Sequence, residues 1–230
     1  MTKILFVAAT LGEITKITEH LEVIDDSKPN LKHYHFQGAK IDMLITGVGM
    51  VATTYQLTKI LSNDFYTAVY NIGICGCFNR TIPLGTVLNI SSDSFPELGA
   101  EDGPEFISAF EIGLIEKNEP PFKNGLLYSY HPPQVKTSNN LKQVHGITVK
   151  KVHGKEESIN ETINVYHPDT ESMEGAAFLY VCLKEQVPCA QIRAVSNYVE
   201  RRNRDAWQIE TAIENLTHVV MDMLTEITSG

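Results

Sequence analysis

The segment from position 171 to position 197 limits the possible folds more than any other part of this sequence. Its small residues Gly175-Ala-Ala177 begin an apolar helical stretch to Lys184, and side chains of this size indicate close helix packing. A second apolar run, residues 188–195, predicts a buried strand that leads directly into Ser196 and Asn197. In open α/β sheets, ligands bind at the carboxyl ends of strands, so we expect a site at these polar side chains.

Strand-type and helix-type patterns alternate along the chain, which predicts an α/β fold in a single domain, residues 1–230. The predicted strands cover residues 3–9, 32–36, 41–46, 67–74, 86–91, 147–152 and 188–195. Predicted helices end near residues 21 and 61, and two more cover residues 175–184 and 207–228. Residues 95–140 form a looser, proline-containing excursion with one short strand at 126–128, the kind of segment that often serves as a lid or oligomer contact.

The composition disfavours several classes of partner. A net charge of −9 argues against nucleic acid and anionic membranes, because nothing supplies the basic surface that both require. The apolar run near the N-terminus is too short for a signal sequence or a membrane span, so we expect a cytoplasmic protein. The four cysteines lie in apolar contexts, which favours buried thiols over disulfides or a metal site.

Three polar residues stand where side chains reach the carboxyl edge of the predicted sheet. Glu13 follows the first strand, Glu174 directly precedes the Gly-Ala-Ala run, and Asn197 ends the last strand. Each also has a structural explanation: a carboxylate at a helix N-terminus for the two glutamates, and an Asx turn for the asparagine. The setting of Glu174, between Met173 and small residues, favours a packed environment over a solvated helix face.

The two segments Glu171-Ser-Met-Glu-Gly-Ala-Ala177 and Arg193-Ala-Val-Ser-Asn197 resemble the nucleoside phosphorylase and nucleosidase superfamily. The following run to Trp207 narrows the resemblance to the futalosine hydrolases, which are related to methylthioadenosine/S-adenosylhomocysteine nucleosidases. The resemblance extends from Met1 to about Leu216. It implies a three-layer α/β/α sandwich with a central mixed, partly barrel-like sheet, no metal or organic cofactor, and a homo-oligomer, most simply a C2 dimer.

The resemblance also implies roles for individual residues. Glu13 matches the general base that orients and deprotonates water. Glu174 matches the carboxylate that accepts hydrogen bonds from the ribose hydroxyls and stabilises the developing oxocarbenium charge, while Met173 packs against the sugar. Ile74 and Ser196 fall at further substrate-contacting positions.

Asn197 departs from the adenine-cleaving nucleosidases, which have Asp at this position to donate a proton to purine N7. A carboxamide can donate its NH2 group to the 6-oxo oxygen or to N7, whereas a carboxylate must first be protonated. Asn197 therefore indicates a hypoxanthine-type or guanine-type base, and a site that uses such bonds discriminates strongly between bases.

The sequence favours water over phosphate as the attacking group. In phosphorolytic relatives an Arg and a Ser grip phosphate at the positions of Asn71 and Ile74, and a second Arg lies near the N-terminus. Here no Arg precedes Arg80, although phosphate recognition normally uses arginines or clustered donors. The resemblance thus implies an N-glycosyl hydrolase.

The implied substrate is the nucleoside futalosine, an inosine whose 5′ end bears an aryl ketone and a carboxylate. Its hydrolysis to hypoxanthine and dehypoxanthinylfutalosine is a step of menaquinone biosynthesis. Arg201 is the first candidate partner for the carboxylate, with Arg202 and Arg204 close by, although a solvated basic stretch explains any one of them equally well.

Three alternatives share parts of this pattern. A methylthioadenosine/S-adenosylhomocysteine-type or inosine-type nucleosidase would keep both glutamates, but the adenine-cleaving type should have Asp at position 197. A purine nucleoside phosphorylase would share Asn197 but should have the phosphate-gripping arginines. A non-catalytic nucleoside-binding protein would not need the water-activating carboxylate of Glu13.

Overall fold

The computed structural model describes residues 2–103, 105–132 and 134–229, and the elements below lie within these ranges. The strands are β1 Lys3–Ala8, β2 Glu22–Asp25, β3 Leu31–Phe36, β4 Ala39–Ile45, β5 Ala68–Cys77, β6 Val87–Asp93, β7 Gly99–Asp102, β8 Glu105–Ser108, β9 Leu127–Tyr128, β10 Gln143–Thr148, β11 Thr170–Ser172 and β12 Cys189–Tyr198. The α-helices are α1 Thr15–Thr18, α2 Met50–Leu61, α3 Lys136–Asn139, α4 Glu156–Tyr166, α5 Gly175–Lys184 and α6 Ile209–Ser229. Two 3-10 turns cover Leu11–Glu13 and Arg204–Ala206.

One mixed sheet organises the molecule, with strand order β11-β10-β6-β12-β5-β1-β4-β3-β2. Its central strands β12, β5, β1 and β4 are parallel neighbours, whereas β12 runs antiparallel to β6. Strand β11 pairs with β10 on one side and with β5 on the other, so that β11, β10, β6, β12 and β5 form a closed ring. The predicted mixed, partly barrel-like sheet is therefore confirmed.

Helices cover both faces of this sheet because buried residues alternate along its strands. In β1, Ile4 and Phe6 belong to a core that includes Leu216 and Val220 of α6. The intervening residue Leu5 points to a second core, formed with α2 and α5. Full burial of a side chain of this size contributes about 1.5–3 kcal/mol. The predicted three-layer sandwich is confirmed, and its centre positions the ends of β1, β5 and β12 side by side.

The element predictions are right where apolar patterning is strong. The strands β1, β3, β4, β5, β6 and β12 and the helices α2, α5 and α6 lie where the sequence predicts them, and β9 matches the short strand expected at 126–128. The strand predicted at 147–152 is displaced, because β10 instead covers Gln143–Thr148. The helix predicted to end near residue 21 is shorter than expected, because α1 covers only Thr15–Thr18. Helices α3 and α4, strands β2 and β11, and the β7–β8 hairpin were not predicted. These elements are short or polar, so they lack a clear apolar period. Pro104 and Pro133 of the excursion lie outside the described residues.

In the described part of the chain, no helix combines the length and apolar character needed to cross a membrane. The described cysteines are all buried and free, as the sequence predicts.

Candidate active site

A cavity of about 360 Å³ opens at the carboxyl ends of β1, β5 and β12. A smaller cavity of about 180 Å³ adjoins it, and the two share Gly76, Val152, Glu171, Asn197 and Trp207. The larger cavity is lined by most of the predicted site residues, namely Glu13, Ile74, Met173, Glu174, Ser196 and Asn197. The position matches the general rule that ligands of α/β sheets bind at the carboxyl ends of strands.

Glu13 is held in a fixed orientation inside the larger cavity. It ends the 3-10 turn after β1, and its Oε2 accepts hydrogen bonds from Thr10 N at 2.9 Å and Thr10 Oγ1 at 3.0 Å. Its Oε1 accepts the backbone N–H of Ile74 in β5 at 3.1 Å. The side chain is therefore both a helix-capping group and a buried carboxylate at the cavity wall, and the two roles expected from the sequence are compatible.

Gly73 of β5 makes this arrangement possible. A Cβ atom at this position would overlap Glu13 Oε1 and would lie 2.7 Å from Arg193 Nη1. Any other residue would have to displace these side chains, because real Cβ atoms do not approach so closely. The glycine thus lets the carboxylate and the guanidinium approach the same stretch of backbone.

Glu174 is the residue directly before α5, and it is 5% exposed. Its Oε1 accepts the backbone N–H of Gly49 at 3.0 Å, at the start of α2. Gly49 has a φ angle of +95°, a conformation that favours glycine. The other carboxylate oxygen of Glu174, Oε2, lies 3.5 Å from Arg193 Nη2. A carboxylate in this position is suited to bind hydroxyl groups and to stabilise positive charge on a bound sugar.

Arg193, which the sequence analysis assigned no role, lies beneath the cavity floor and is 1% exposed. Its Nη2 donates to Asn71 Oδ1 at 2.5 Å, its Nη1 to Ile74 O at 3.3 Å and its Nε to Gln191 Oε1 at 3.2 Å. The guanidinium is thus engaged on every side by the protein. The signal that could have revealed it is a charged residue in the middle of an apolar strand, since such residues are buried only when they are paired.

The network continues from Arg193 to a second buried carboxylate, Asp93 at the end of β6. Gln191 Nε2 donates to Asp93 Oδ2 at 3.0 Å, and Thr148 Oγ1 donates to Asp93 Oδ1 at 2.9 Å. Burial raises the pKa of Asp93 to about 6 despite these hydrogen bonds. The backbone N–H of Ala176 donates to Thr148 Oγ1 at 2.6 Å, which links the network to the first turn of α5.

Asn197 lies at the other end of the cavity, where β12 has an irregular register beside Gly76. Its Oδ1 is 2.8 Å from the hydroxyl of Ser196, and its Nδ2 donates to Tyr198 O at 3.0 Å. The Tyr198 carbonyl can only accept, so its contact identifies the donor side of the amide. One of the two N–H bonds of the NH2 group is then left for a ligand.

A second pair of polar side chains lies at the junction of the two cavities. Glu171 is 3% exposed; its Oε2 is 2.6 Å from His153 Nδ1, and its Oε1 accepts the His153 backbone N–H at 3.1 Å. The other ring nitrogen of His153 lies 3.0 Å from Thr162 Oγ1. None of the histidines is among the residues predicted to carry chemistry. No spacing signal was available, because His153 and Glu171 lie eighteen positions apart and meet only in the fold.

Arg201 is the predicted site residue that the fold does not bring to the cavities. It is exposed and lines neither of them. Its neighbour Arg202 lines the smaller cavity, with its guanidinium 5.0 Å from the centre of the Trp207 ring. Arg204 is 6.0 Å from the same ring centre. The fold thus brings Arg202 to the smaller cavity but not Arg201, two adjacent arginines that the sequence alone did not distinguish.

Within residues 2–103, 105–132 and 134–229, no group of three or more His, Cys, Asp or Glu side chains is arranged to hold a metal ion. The larger cavity instead combines three buried carboxylates, those of Glu13, Glu171 and Glu174, with an amide donor and apolar walls. Such a set can activate water, stabilise a cationic sugar and hydrogen-bond a departing base.

The fold and this site define the class of protein. The family model described as Phosphorylase superfamily matches residues 3–227, and the chain belongs to this superfamily.

Among its relatives, the futalosine hydrolase of Thermus thermophilus is 25% identical over 193 residues, which are 83% of this chain and 84% of that protein. The futalosine hydrolase of Streptomyces coelicolor is 28% identical over 186 residues, 78% of this chain and 76% of that protein. The aminodeoxyfutalosine nucleosidase of Campylobacter jejuni is 25% identical over 207 residues, 86% of each chain. The predicted resemblance to futalosine hydrolases is confirmed, and the chain is an N-glycosyl hydrolase of the nucleosidase type.

Solved structures share the fold. The futalosine hydrolase of Helicobacter pylori superposes with a TM-score of 0.79 over 98% of both chains, at 16% sequence identity. The 5′-methylthioadenosine/S-adenosylhomocysteine nucleosidase of Colwellia psychrerythraea gives a TM-score of 0.78 over 98% of this chain and 95% of that chain, at 20% identity. At these identities the likeness demonstrates a common architecture.

Proposed function

We propose that this protein hydrolyses the N-glycosidic bond of futalosine and releases hypoxanthine and dehypoxanthinylfutalosine, as a step of menaquinone biosynthesis. The observation that supports this substrate most is the Asn197 amide, whose Oδ1 faces the Ser196 hydroxyl at 2.8 Å. The Nδ2 group donates one N–H to Tyr198 O, which leaves its second N–H for a ligand. A 6-oxopurine has acceptors at O6 and N7 to receive it, whereas adenine has an amino group in place of O6.

In the proposed mechanism Glu13 orients a water molecule below the anomeric carbon and accepts its proton as the bond to the base breaks. Glu174 accepts hydrogen bonds from the ribose hydroxyls and stabilises the oxocarbenium-like charge. Asn197 donates a hydrogen bond to the departing base and disperses its developing negative charge; the released anion then takes a proton from solvent, to which Glu13 returns the proton it accepted. Met173, Ile74 and Ser196 complete the walls around the sugar and base.

Water is proposed as the attacking group because no arginine is among the described residues that line the larger cavity, where Glu13 and Glu174 lie. Arg193 is the arginine beneath the cavity, and its nitrogens are already bonded to Asn71, Ile74 and Gln191. Recruiting it for phosphate would leave buried acceptors without donors, which costs about 1–3 kcal/mol for each unsatisfied group.

The 5′ substituent of futalosine has a carboxylate, and we propose Arg202, in place of Arg201, as its partner. Trp207 lines both cavities and gives an aryl group a flat apolar surface. The Arg202 guanidinium stacks near that ring, within reach of an anionic group bound along it.

Product analysis of the purified protein tests this proposal. Futalosine, inosine and methylthioadenosine should each be incubated with and without phosphate, and the products separated by chromatography. We expect hypoxanthine and the free sugar product from futalosine at a rate independent of phosphate. A sugar 1-phosphate would establish a phosphorylase instead, and preferential cleavage of methylthioadenosine would establish an adenine-type nucleosidase.

We also propose that the chain forms a C2 dimer in the cytoplasm. Val51 and Tyr55 on α2 are 85% and 62% exposed, and Val48, just before this helix, lines the larger cavity. An exposed apolar face next to a site is suited to contact a second copy. Light scattering after size-exclusion chromatography should give twice the mass of one chain, whereas the mass of a single chain would contradict this proposal.

A further inference from the structure

The buried carboxylate of Glu171 has no part in the mechanism proposed above, although it lines both cavities. Its hydrogen-bond partners among the described residues both belong to His153: the backbone N–H and the ring Nδ1. Burying a carboxylate without full compensation is costly, and two partners leave part of its accepting capacity unused. A buried carboxylate that lies at a cavity wall and has unused acceptor capacity is a candidate ligand-binding group.

The position of Glu171 relative to Asn197 is fixed by the sheet. Glu171 pairs with Gly76 across β11 and β5, and Asn197 pairs with the same Gly76 across β12 and β5. A Cβ atom on Gly76 would lie 3.3 Å from Glu171 Cγ and 3.4 Å from Asn197 Nδ2. The two side chains therefore flank one glycine from opposite sides, with an amide donor on one side and a carboxylate acceptor on the other.

This pair of groups complements one edge of a 6-oxopurine. Such a base presents an acceptor, O6, directly beside a donor, N1–H. Adenine presents the reverse pattern, an amino donor beside an N1 acceptor. A carboxylate has only acceptors, so it can bond the N1–H of hypoxanthine and repels the N1 lone pair of adenine.

We propose that Glu171 is a specificity-determining residue that accepts the N1–H of a 6-oxopurine base, and that His153 is the positioning residue that holds its carboxylate. This inference rests on the proposed function, since it deepens the base recognition assigned to Asn197. The His153 ring is itself fixed between Glu171 and Thr162, at 2.6 Å and 3.0 Å, which limits rotation of the carboxylate. The base edge then lies at the junction of the two cavities.

Binding of free bases tests the inference without requiring turnover. Dissociation constants of hypoxanthine, 1-methylhypoxanthine and adenine should be measured by calorimetry for the wild-type protein and for Glu171→Gln. Glu157→Gln, an exposed position on α4, is the matched control for the same chemical change. We expect the wild type to bind hypoxanthine at least about tenfold more tightly than either other base, the scale of one hydrogen bond to a charged group.

Glu171→Gln should reduce the preference for hypoxanthine over adenine by about tenfold or more, while Glu157→Gln should leave it unchanged. Equal weakening of both bases by Glu171→Gln would assign the residue a purely structural role and overturn the inference. If Glu171→Gln does not fold, the wild-type comparison decides: binding of 1-methylhypoxanthine as tight as that of hypoxanthine contradicts the inference.

Futalosine turnover by the same wild-type preparation separates this inference from the proposed function. Absence of hydrolysis together with the expected base preference would reject futalosine as the substrate and keep the role of Glu171. Hydrolysis of futalosine without a base preference would reject the role of Glu171 and keep the substrate.

Discussion

The two ends of the cavity are built in different ways. At the sugar end, the carboxylates of Glu13 and Glu174 each accept a main-chain N–H, from Ile74 and Gly49 respectively. At the base end, Asn197 is oriented by its two neighbours in β12, the Ser196 hydroxyl and the Tyr198 main-chain carbonyl. The reacting groups are thus anchored to the main chain of distant segments, β5 and the start of α2, whereas the group that contacts the base is oriented by its own sequence neighbours.

This difference separates chemistry from specificity. A group held by the main chain of a distant segment keeps its position when surrounding side chains change, because the amide that holds it belongs to the fold itself. A group oriented by its sequence neighbours can be replaced together with them, and the base preference changes with it. We expect changes at the sugar end to abolish turnover for every substrate and changes at the base end to redirect the choice of substrate.

The largest effect is expected at Glu13. Glu13→Gln retains the shape of the side chain but removes the acceptor of the water proton, so turnover should fall by roughly two to four orders of magnitude. Binding of hypoxanthine should be nearly unchanged. Steady-state kinetics with futalosine and inosine measure the effect, and a variant with nearly normal turnover would remove Glu13 from the mechanism.

Gly73→Ala tests whether turnover requires the close approach of the Glu13 and Arg193 side chains to the backbone of β5 at Gly73. The new Cβ atom would displace Glu13 and Arg193 together. A displacement of about 1 Å in a catalytic group can cost about a hundredfold in rate, so we expect at least that loss for all substrates. Circular dichroism should show that the variant is folded. Activity close to wild type in a folded variant would mean that the site tolerates the shift.

Much of the sugar end could be predicted from the sequence, and the base end only in part. Glu13 and Glu174 follow recognisable local patterns, a strand followed by a turn and a small-residue helix start. Glu171 and His153 come together because β11, which contains Glu171, pairs with β10, and His153 lies in the segment that follows β10. A three-residue strand has no periodicity to detect, so that contact has no trace in the sequence.

Prediction of the fold from the sequence is likewise limited to elements that have a clear apolar pattern. The central strands and α5 show strong apolar patterns, and their positions were predicted correctly. Helix α4 buries only Thr162 among its residues, so its sequence has little to distinguish it from a loop. Arg193 was overlooked for a related reason, because its function depends on partners in β5 that are distant in the sequence.

The buried network under the sugar end predicts a pH-dependent stability. Burial raises the folded-state pKa of Asp93 to about 6, above its ordinary value, so stability from this group is fully present below about pH 4 and is lost as the pH rises through 6. Asp93→Asn does not titrate. The wild type should therefore lose roughly 3 kcal/mol of unfolding free energy relative to Asp93→Asn as the pH rises from about 4 to 8. Urea unfolding at each pH measures this, and a difference independent of pH would contradict it.

A smaller effect is expected from the exposed arginines beside Trp207. Arg202→Ala should raise KM for futalosine by about twofold to fivefold, the scale of an exposed charge interaction, with little change for inosine, which has no carboxylate. Arg201→Ala is the matched control, since Arg201 lines neither cavity. If the two substitutions raise KM for futalosine equally, the assignment of the carboxylate contact to Arg202 is contradicted.

The central claim is that Asn197 selects a 6-oxopurine base while the sugar end performs the hydrolysis. The most direct measurement is kcat/KM for futalosine and for its adenine analogue aminofutalosine, with the wild type and with Asn197→Asp. We predict that the substitution lowers the value for futalosine by about 1–3 kcal/mol of transition-state stabilisation and shifts the preference towards aminofutalosine. If both substrates change by the same factor, Asn197 does not select the base and the claim is contradicted.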